Sequence, residues 1–315
     1  MATAPEQMAG MRLDQVLAEL FPDYSRSRLQ TWIRGGRVLV DGKPLMKARE
    51  RLHGGEYIEL DAEAEQVVQC LAEDIPLQIV YEDEALLIVD KPAGMVVHPA
   101  VGNWHGTLQN ALLHHDPSLA ALPRAGLVHR IDKDTSGLLM VAKTLQAHNS
   151  LVTQLQARTI HREYQAVVSG RMTAGGTVDQ PLGRHPVDRK RFAIRDTGKP
   201  AVSHYRVMER FVRHTFILVQ LETGRTHQIR VHMQAIHYPL VGDPVYAGRF
   251  RLPPNCSEQL AEVLRSFNRQ ALHAAKLGLE HPVSHEYCQW QSPLPDDMGK
   301  LLAALREQDE QLLAG

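Results

Sequence analysis

The sequence predicts an α+β fold: a mixed, largely antiparallel sheet with helices packed on it, preceded by a small helix-helix-strand module. Three observations predict it. Strand-length apolar runs mix with helical-period segments without a βαβ rhythm, and neighbouring runs are joined by short turns, which favours antiparallel pairing. The 315 residues exceed the roughly 250–300 at which single cores stop growing. The hydrophobic fraction of 43% supports a full core, while 23% charged residues argue against wholesale disorder.

In chain order, Arg12 to Phe21 places Leu13, Val16, Leu17, Leu20 and Phe21 at helical spacing. Ser25 is a plausible N-cap for a second helix carrying Leu29, Trp32 and Ile33 on one face, which Gly35-Gly36 ends. Val38-Leu39-Val40 then runs into Asp41-Gly42, a two-residue hairpin signal. This module is expected over residues 11–60, with the acidic segment 61–75 as linker and residues 76–315 as the larger domain. There, Ala85 to Asp90 reads as a strand ending in the turn Lys91-Pro92-Ala93-Gly94, and Thr107 to His115 as a helix. Leu127 to Lys143 reads as strand, polar turn (132–137) and strand. An amphipathic helix is expected from Thr144 to Arg158, then strands at 163–168, 201–208 and 215–222. Thr226 is expected to cap a helix reaching about Ile236, closed off by Pro239. Strands at 271–279 and 286–290 and a solvated helix within 296–315 complete the chain.

Several classes are excluded. No run reaches the roughly 18 apolar residues of a membrane helix, and Met1 to Met11 lacks the apolar core of a secretory signal. Cys70, Cys256 and Cys288 form neither a disulfide framework nor a zinc knuckle, so a thiol-reduced, cytoplasmic protein is expected. Among the 17 histidines, His114-His115 and His227 with His232 lack metal-ligand spacing. P-loop, GxSxG and GxGxxG patterns are absent.

The net charge of −1 hides a segregation. Residues 1–25 sum to −3, 26–51 to +6, 52–90 to −11, 91–280 to +11 and 281–315 to −4. Two basic regions attract phosphate backbones whatever the total says. Arg26, Arg28, Arg34 and Arg37, on and just after a short helix followed by a tight turn, suit a grip on folded RNA by shape. The acidic stretch between is expected to face away from it.

Two constellations could carry chemistry. In His129-Arg130-Ile131-Asp132-Lys133-Asp134-Thr135-Ser136-Gly137 a carboxylate at a strand end is bracketed by cations and hydroxyls, which suits a nucleophile or base. Taken alone, a polar hairpin turn explains it as well. In Thr223-Gly224-Arg225-Thr226-His227-Gln228-Ile229-Arg230-Val231-His232, Arg225 and Arg230 could address a phosphate and a carboxylate separately.

HRIDKDTSGLLMVAK (129–143) resembles the signature of the RluA-type family of RNA pseudouridine synthases. DKPAGMVVHP (90–99), GTLQNALL (106–113), REYQAVVSG (162–170), ETGRTHQIRVHM (222–233), PLVGDPVYAG (239–248) and RQALHAAKLGLEHP (269–282) fit the family in the same order. Residues 11–33 through VLVDGKPL (38–45) resemble the S4-like RNA-binding domain that precedes many of these enzymes, so the resemblance covers roughly 11–305. It implies a pseudouridine synthase fold and isomerisation of uridine in 23S ribosomal RNA, without metal, nucleotide or other cofactor, by a cytoplasmic monomer. The FPDYSRSR and YEDE segments point within the family to members acting on the helix 69 loop of the large subunit. Expected partners are therefore that RNA and the 50S subunit or its precursor, with no membrane. The resemblance makes Asp132 the essential aspartate, Arg230 its ion-pair partner and Tyr164 a base-lining candidate for proton transfer. It makes Leu272 the residue packing on uracil and Arg130 the one filling the space of the flipped base. Arg225 and His129 are expected to position RNA. The rival expectations are an S4-type ribosome-associated RNA-binding factor without catalysis, and a sugar-cleaving hydrolase. The hydrolase usually needs two flanking carboxylates, and Asp132 with Asp134 do not make such a pair.

Overall fold

The computed structural model of the protein describes residues 1–314 apart from 23, 25, 63–69, 101 and 189. Two compact units are present, Met1–Gln69 and Cys70–Gly315. Ser25, read as an N-cap, and residues 63–69 of the segment read as a linker lie outside the described residues.

In the first unit, α1 (Leu13–Leu20) and α2 (Arg26–Arg34) pack on a sheet of β1 (Ala2–Thr3), β2 (Val38–Val40), β3 (Lys43–Pro44) and β4 (Tyr57–Leu60). The order β1-β4-β2-β3 is antiparallel throughout. Helical spacing delivers Leu13, Val16, Leu17, Leu29, Trp32 and Ile33 to one core. Asp41 and Gly42 both take positive φ (50° and 74°), the turn that matches strand twist. The module begins earlier than residue 11, because Ala2 and Thr3 pair with Ile58 and Tyr57.

The second unit is built on nine strands: β5 (Gln78–Glu82), β6 (Leu86–Lys91), β7 (Ser136–Ala142), β8 (His161–Ser169), β9 (Gly176–Asp179), β12 (Val202–Arg210), β13 (His214–Leu221), β14 (Leu272–Glu280) and β15 (Tyr287–Gln291). A separate hairpin, β10 (Leu182–Arg184) and β11 (Phe192–Ile194), lies between β9 and β12 in the chain. The sheet runs β5-β6-β7-β14-β8-β13-β12-β9, with β15 beside β14. The β7–β14 pair is parallel and the others antiparallel, which makes the α+β class a mixed, largely antiparallel one.

Strand alternation divides the core. Leu87, Val89, Leu139, Val141, Ala166, Val168, Ile217 and Val219 pack with α3 (Leu108–His115) and with Ile229 and Met233 of α5 (Gln228–Ala235). Leu86, Ile88, Leu138 and Met140 pack instead with Ala147 and Leu151 of α4 (Leu145–Ala157). Val167 and Phe216 meet α6 (Glu258–Ser266) and α7 (Asp296–Ala314).

Three expectations are corrected. Leu127 forms only an isolated bridge to Val141, so 128–135 is a loop and the strand begins at Ser136. The last helix is not a solvated tail: Met298, Leu301, Leu302 and Leu305 are buried against α6, a helix that Leu260, Ala261 and Leu264 anchor and that the strand-rich reading of this region omits. The N-cap of α5 is His227, not Thr226, and the helix ends at Ala235 before Pro239 can act on it.

Gly137 sits at the centre of this sheet, where β7 meets β14 (φ +111°). A Cβ there would fall 2.3 Å from the Ala274 carbonyl oxygen and 2.6 Å from its nitrogen. Backbone cannot yield as a flexible side chain can, so the close parallel contact requires glycine. Gly137→Ala is expected to cost at least about 2 kcal/mol by urea denaturation; an unchanged midpoint would show that the strands separate freely.

Candidate active site

Arg230, on α5, has a side chain only 5% exposed, so its charge is costly without anions beside it. It finds two. Its Nε and Nη2 donate to the two carboxylate oxygens of Asp243 at 2.7 and 2.9 Å, and its Nη1 donates to Asp132 Oδ2 at 3.0 Å. Asp243 is fully buried, and one of its oxygens also accepts from the backbone N–H groups of Val245 and Tyr246. Burial would raise the Asp243 carboxyl, but these bonds and the Arg230 charge outweigh it and hold the group below the usual carboxylate range. The same carboxylates hold the Arg230 guanidinium firmly protonated against its own burial. The Tyr246 ring lies 5.0 Å from that guanidinium. Asp132, 17% exposed, is the carboxylate of this trio that faces the cleft.

The Asp132 loop is held largely by its backbone. The Asp132 carbonyl accepts from Thr135 N–H, and that of Lys133 from Gly94 N–H and Lys91 Nζ. The Asp134 carbonyl accepts from Arg269 Nη1, and Gln270 donates to the Thr135 hydroxyl. Lys91 is fully buried and donates to three carbonyls, those of Pro92, Met95 and Lys133, at 2.7–3.0 Å. Burial pulls its pKa down to about 7, yet three acceptors call for the three N–H groups of the ammonium form. His129 Nε2 accepts from Met140 N–H at 3.0 Å, so the ring substitutes for a strand neighbour. Burial, with the Arg162 charge, pushes it down to about 3 and keeps it neutral.

Asp132, Thr135 and His129 line a cleft of about 630 Å³. Tyr164, on β8, lines it with its hydroxyl unbonded among the described residues; burial pushes that phenol up. Leu272 opens β14 beside it, and exposed Arg130 stands on the rim. Arg225 commits Nε to the Pro200 carbonyl, leaving its Nη groups to the cleft. Two further residues of the site are assigned no role in the sequence reading. Arg162, 7% exposed, lines the cleft and donates to the Glu222 carbonyl, but among the described residues its buried Nε has no partner and it meets no carboxylate. Its Nη1 lies 2.7 Å from where a Gly224 Cβ would stand, so that glycine makes its room. Asp243 is the other; its buried place beside Arg230 leaves no periodic mark.

The remaining expected residues lie in the first unit. Arg26 donates to Asp14, which is buried and also bonded by Arg12 and Gln30. Arg28 lies over the Tyr24 and Trp32 rings, Arg34 donates to Gln30, and Arg37 pairs with Asp61 at 3.5 Å. His232 bonds the Ser203 hydroxyl and the Gln180 carbonyl within the core. Among the described residues no group of three or more His, Cys, Asp and Glu could hold a metal ion.

A carboxylate pinned by a buried arginine at the mouth of a basic cleft is also the part of the chain that known proteins share. Residues 85–235 match the family model described as RNA pseudouridylate synthase, and 11–58 match the S4 domain. Over 98% of its length the chain is 58% identical to ribosomal large subunit pseudouridine synthase D of Pseudomonas aeruginosa, covering 96% of that protein. The protein of the same name from Escherichia coli K12 is 55% identical over 98% of this chain and 95% of its own.

The chain belongs to the RNA pseudouridylate synthase family.

It is accordingly an RNA pseudouridine synthase, an isomerase, with an S4 domain at its N-terminal side. The fold of this synthase is also that of human RNA pseudouridylate synthase domain containing 4. The two superpose with a TM-score of 0.55 at 23% identity, over 73% of this chain and 93% of the other. Domain containing 1 gives 0.54 at 25%, over 75% and 96%. Among the described residues no helix is long and apolar enough to cross a membrane.

Asp243→Asn would leave Arg230 with one carboxylate and is expected to destabilise the synthase by about 3 kcal/mol at neutral pH. Because the folded Asp243 pKa is depressed, its stabilisation is present above the unfolded value of about 4 and is lost as pH falls through the folded value. Urea midpoints of the two proteins should therefore converge in acid; a gap that persists to pH 2 would contradict the assignment.

Proposed function

We propose that this synthase isomerises uridine to pseudouridine in 23S ribosomal RNA, in the helix 69 loop. It would act as a cytoplasmic monomer on the large subunit or its precursor. The names of its relatives and the match to them over nearly the whole chain support the RNA. The observation that carries the chemistry is the 3.0 Å Arg230–Asp132 contact at the wall of a cleft large enough for a flipped nucleotide.

The reaction breaks N1–C1′, turns the base over and joins C5 to C1′. Bonds made and lost nearly balance, so neither redox cofactor nor nucleotide is called for. Asp132 either attacks the sugar or removes the proton that lets uracil depart, and Arg230 fixes its orientation. Tyr164 takes the C5 proton, a role its raised pKa permits only once the bound substrate tunes it. Leu272 packs on the base, Arg130 fills its place in the RNA, and Arg225 engages phosphate. His129 acts on RNA through the loop it braces. Residues 11–60 add grip through Arg26, Arg28, Arg34 and Arg37, residues 76–315 hold the catalytic machinery, and 61–75 join them. The Arg162 guanidinium, bonded to a carbonyl and to no carboxylate among the described residues, fits a cleft built for a polyanion.

Asp132→Asn is expected to abolish pseudouridine in helix 69 RNA, read by carbodiimide-based detection, while RNA affinity stays within about twofold. Retained turnover would remove Asp132 from the chemistry, and a product in another RNA alone would move the substrate. Arg225→Ala should weaken binding evenly across sequences and reduce the log–log salt slope by about one; a slope that is unchanged would assign Arg225 to the protein's own scaffold.

A further inference from the structure

His227 is left over by that mechanism, yet it is the residue next to the Asp132 carboxylate on the side opposite Arg230. Its Nε2 lies 3.9 Å from Asp132 Oδ1, while Arg230 holds Oδ2. Its Nδ1 lies 2.8 Å from the Tyr246 hydroxyl. That hydroxyl oxygen accepts the Phe192 backbone N–H at 2.9 Å. The ring also stands edge-on to Phe192 and to Tyr246, with centroids 5.8 and 5.5 Å away.

These contacts fix the tautomer. The Phe192 amide donates to the Tyr246 oxygen, and His227 Nδ1 is the one acceptor within reach of the phenol proton among the described residues, so the Tyr246 phenol directs that proton at Nδ1. That nitrogen must then accept, so the proton of the neutral ring is on Nε2 and faces Asp132. Burial, with the Arg230 charge, keeps the imidazole neutral against the pull of Asp132. The backbone has a cost of its own: His227 takes φ +58° at the start of α5 and makes no side-chain hydrogen bond to cap the helix. The helix end therefore does not account for the ring.

We propose that His227 is a positioning residue for the isomerisation: its Nε2–H, held in that tautomer by Tyr246, closes on Asp132 Oδ1 when RNA binds and leaves the carboxylate clamped on both oxygens. Arg230 alone allows the carboxylate to swing about its single bond to Nη1. A second donor removes that freedom, and hydrogen bonds that are long in the free enzyme tighten in the complex. The chain of contacts begins at Phe192 on β11, so the β10–β11 hairpin sets the tautomer at the reacting group. The inference rests on Asp132 being the reacting carboxylate; Asp132→Asn tests that separately, and the variants below test only the clamp.

Single-turnover kinetics on helix 69 RNA decide it. Glutamine reaches about as far as the imidazole Nε2 and carries N–H without needing a tautomer partner, whereas leucine carries none. His227→Leu should lower the rate at saturating RNA about ten- to hundredfold, the weight of one hydrogen bond to a charged group, with little change in half-saturation. His227→Gln should recover to within about threefold of wild type. Tyr246→Phe keeps the ring but frees the tautomer, and should slow the reaction about fivefold or more beside His227, but less than about twofold when combined with His227→Gln. Glutamine no better than leucine would reduce His227 to packing. An equal Tyr246→Phe loss in both backgrounds would place its effect in the bond the hydroxyl accepts from Phe192. Either result overturns the proposal. Should His227→Leu fail to fold by circular dichroism, the Tyr246→Phe comparison decides between the clamp and packing by itself.

Discussion

Burying a guanidinium is costly unless carboxylates come with it, and the site is built on how that cost is met at Arg230. Asp243 supplies the permanent partner: two-point, fully buried, its remaining valence spent on the backbone of 245 and 246. This leaves Nη1 as the free end of the fork, and that end meets Asp132. One carboxylate neutralises the cation and the other inherits an oriented contact with a side open to the cleft. A buried pair of this kind adds little to net stability compared with an apolar substitute. What it supplies is direction, which catalysis at C1′ needs more than strength.

The loop bearing Asp132 makes the same trade. Its bonds come from residues far along the chain: Lys91 and Gly94 on the β6 side, Arg269 and Gln270 ahead of β14, and the parallel β7–β14 contact that Gly137 permits. A polar turn that satisfied itself would need none of them. The carbonyls of 133 and 134 are answered by side chains and amides of other elements, and the loop is placed relative to the sheet with little help from its own hairpin geometry.

Local patterns are legible in the sequence and long-range partners are not. The two helices of the S4 unit, the Asp41-Gly42 turn and most central strands are periodic or punctuated, and their physics acts within a few residues. The 127–131 segment reads as a strand because Leu127, Val128 and Ile131 are apolar; in fact Ile131 anchors a loop in the core and His129 bonds a strand with its ring. The final helix reads as solvated because Glu307, Asp309 and Glu310 dominate its composition, while its Met298-Leu301-Leu302-Leu305 stripe finds α6. Asp132, Tyr164 and Arg230 are reached through resemblance; the first two line one cleft and Arg230 bonds Asp132 there. Asp243, Arg162 and His227 carry no spacing that marks them, since each is defined by what lies beside it in the fold.

Charge illustrates the point most sharply. The sequence carries +6 over 26–51 and −11 over 52–90, and the structure spends much of both. Arg26 belongs to buried Asp14, and Arg37 faces Asp61. On the acidic side Glu56 accepts from the turn before β4, Glu73 from Gly106 and His105, and Glu82 from Lys143 and His115. Asp83 accepts from the turn between β5 and β6, from Tyr81 and from His281. A run of carboxylates that reads as a repulsive stretch is thus largely a set of local caps and pairs, each offset where it stands. Among the cations that line the cleft, Arg130 on the rim, Arg225 with its Nη groups and Arg162 pair with no carboxylate among the described residues. A tally of sign along the sequence locates the basic regions but not the contacts, because pairing inside the fold removes charges from the field an RNA would feel.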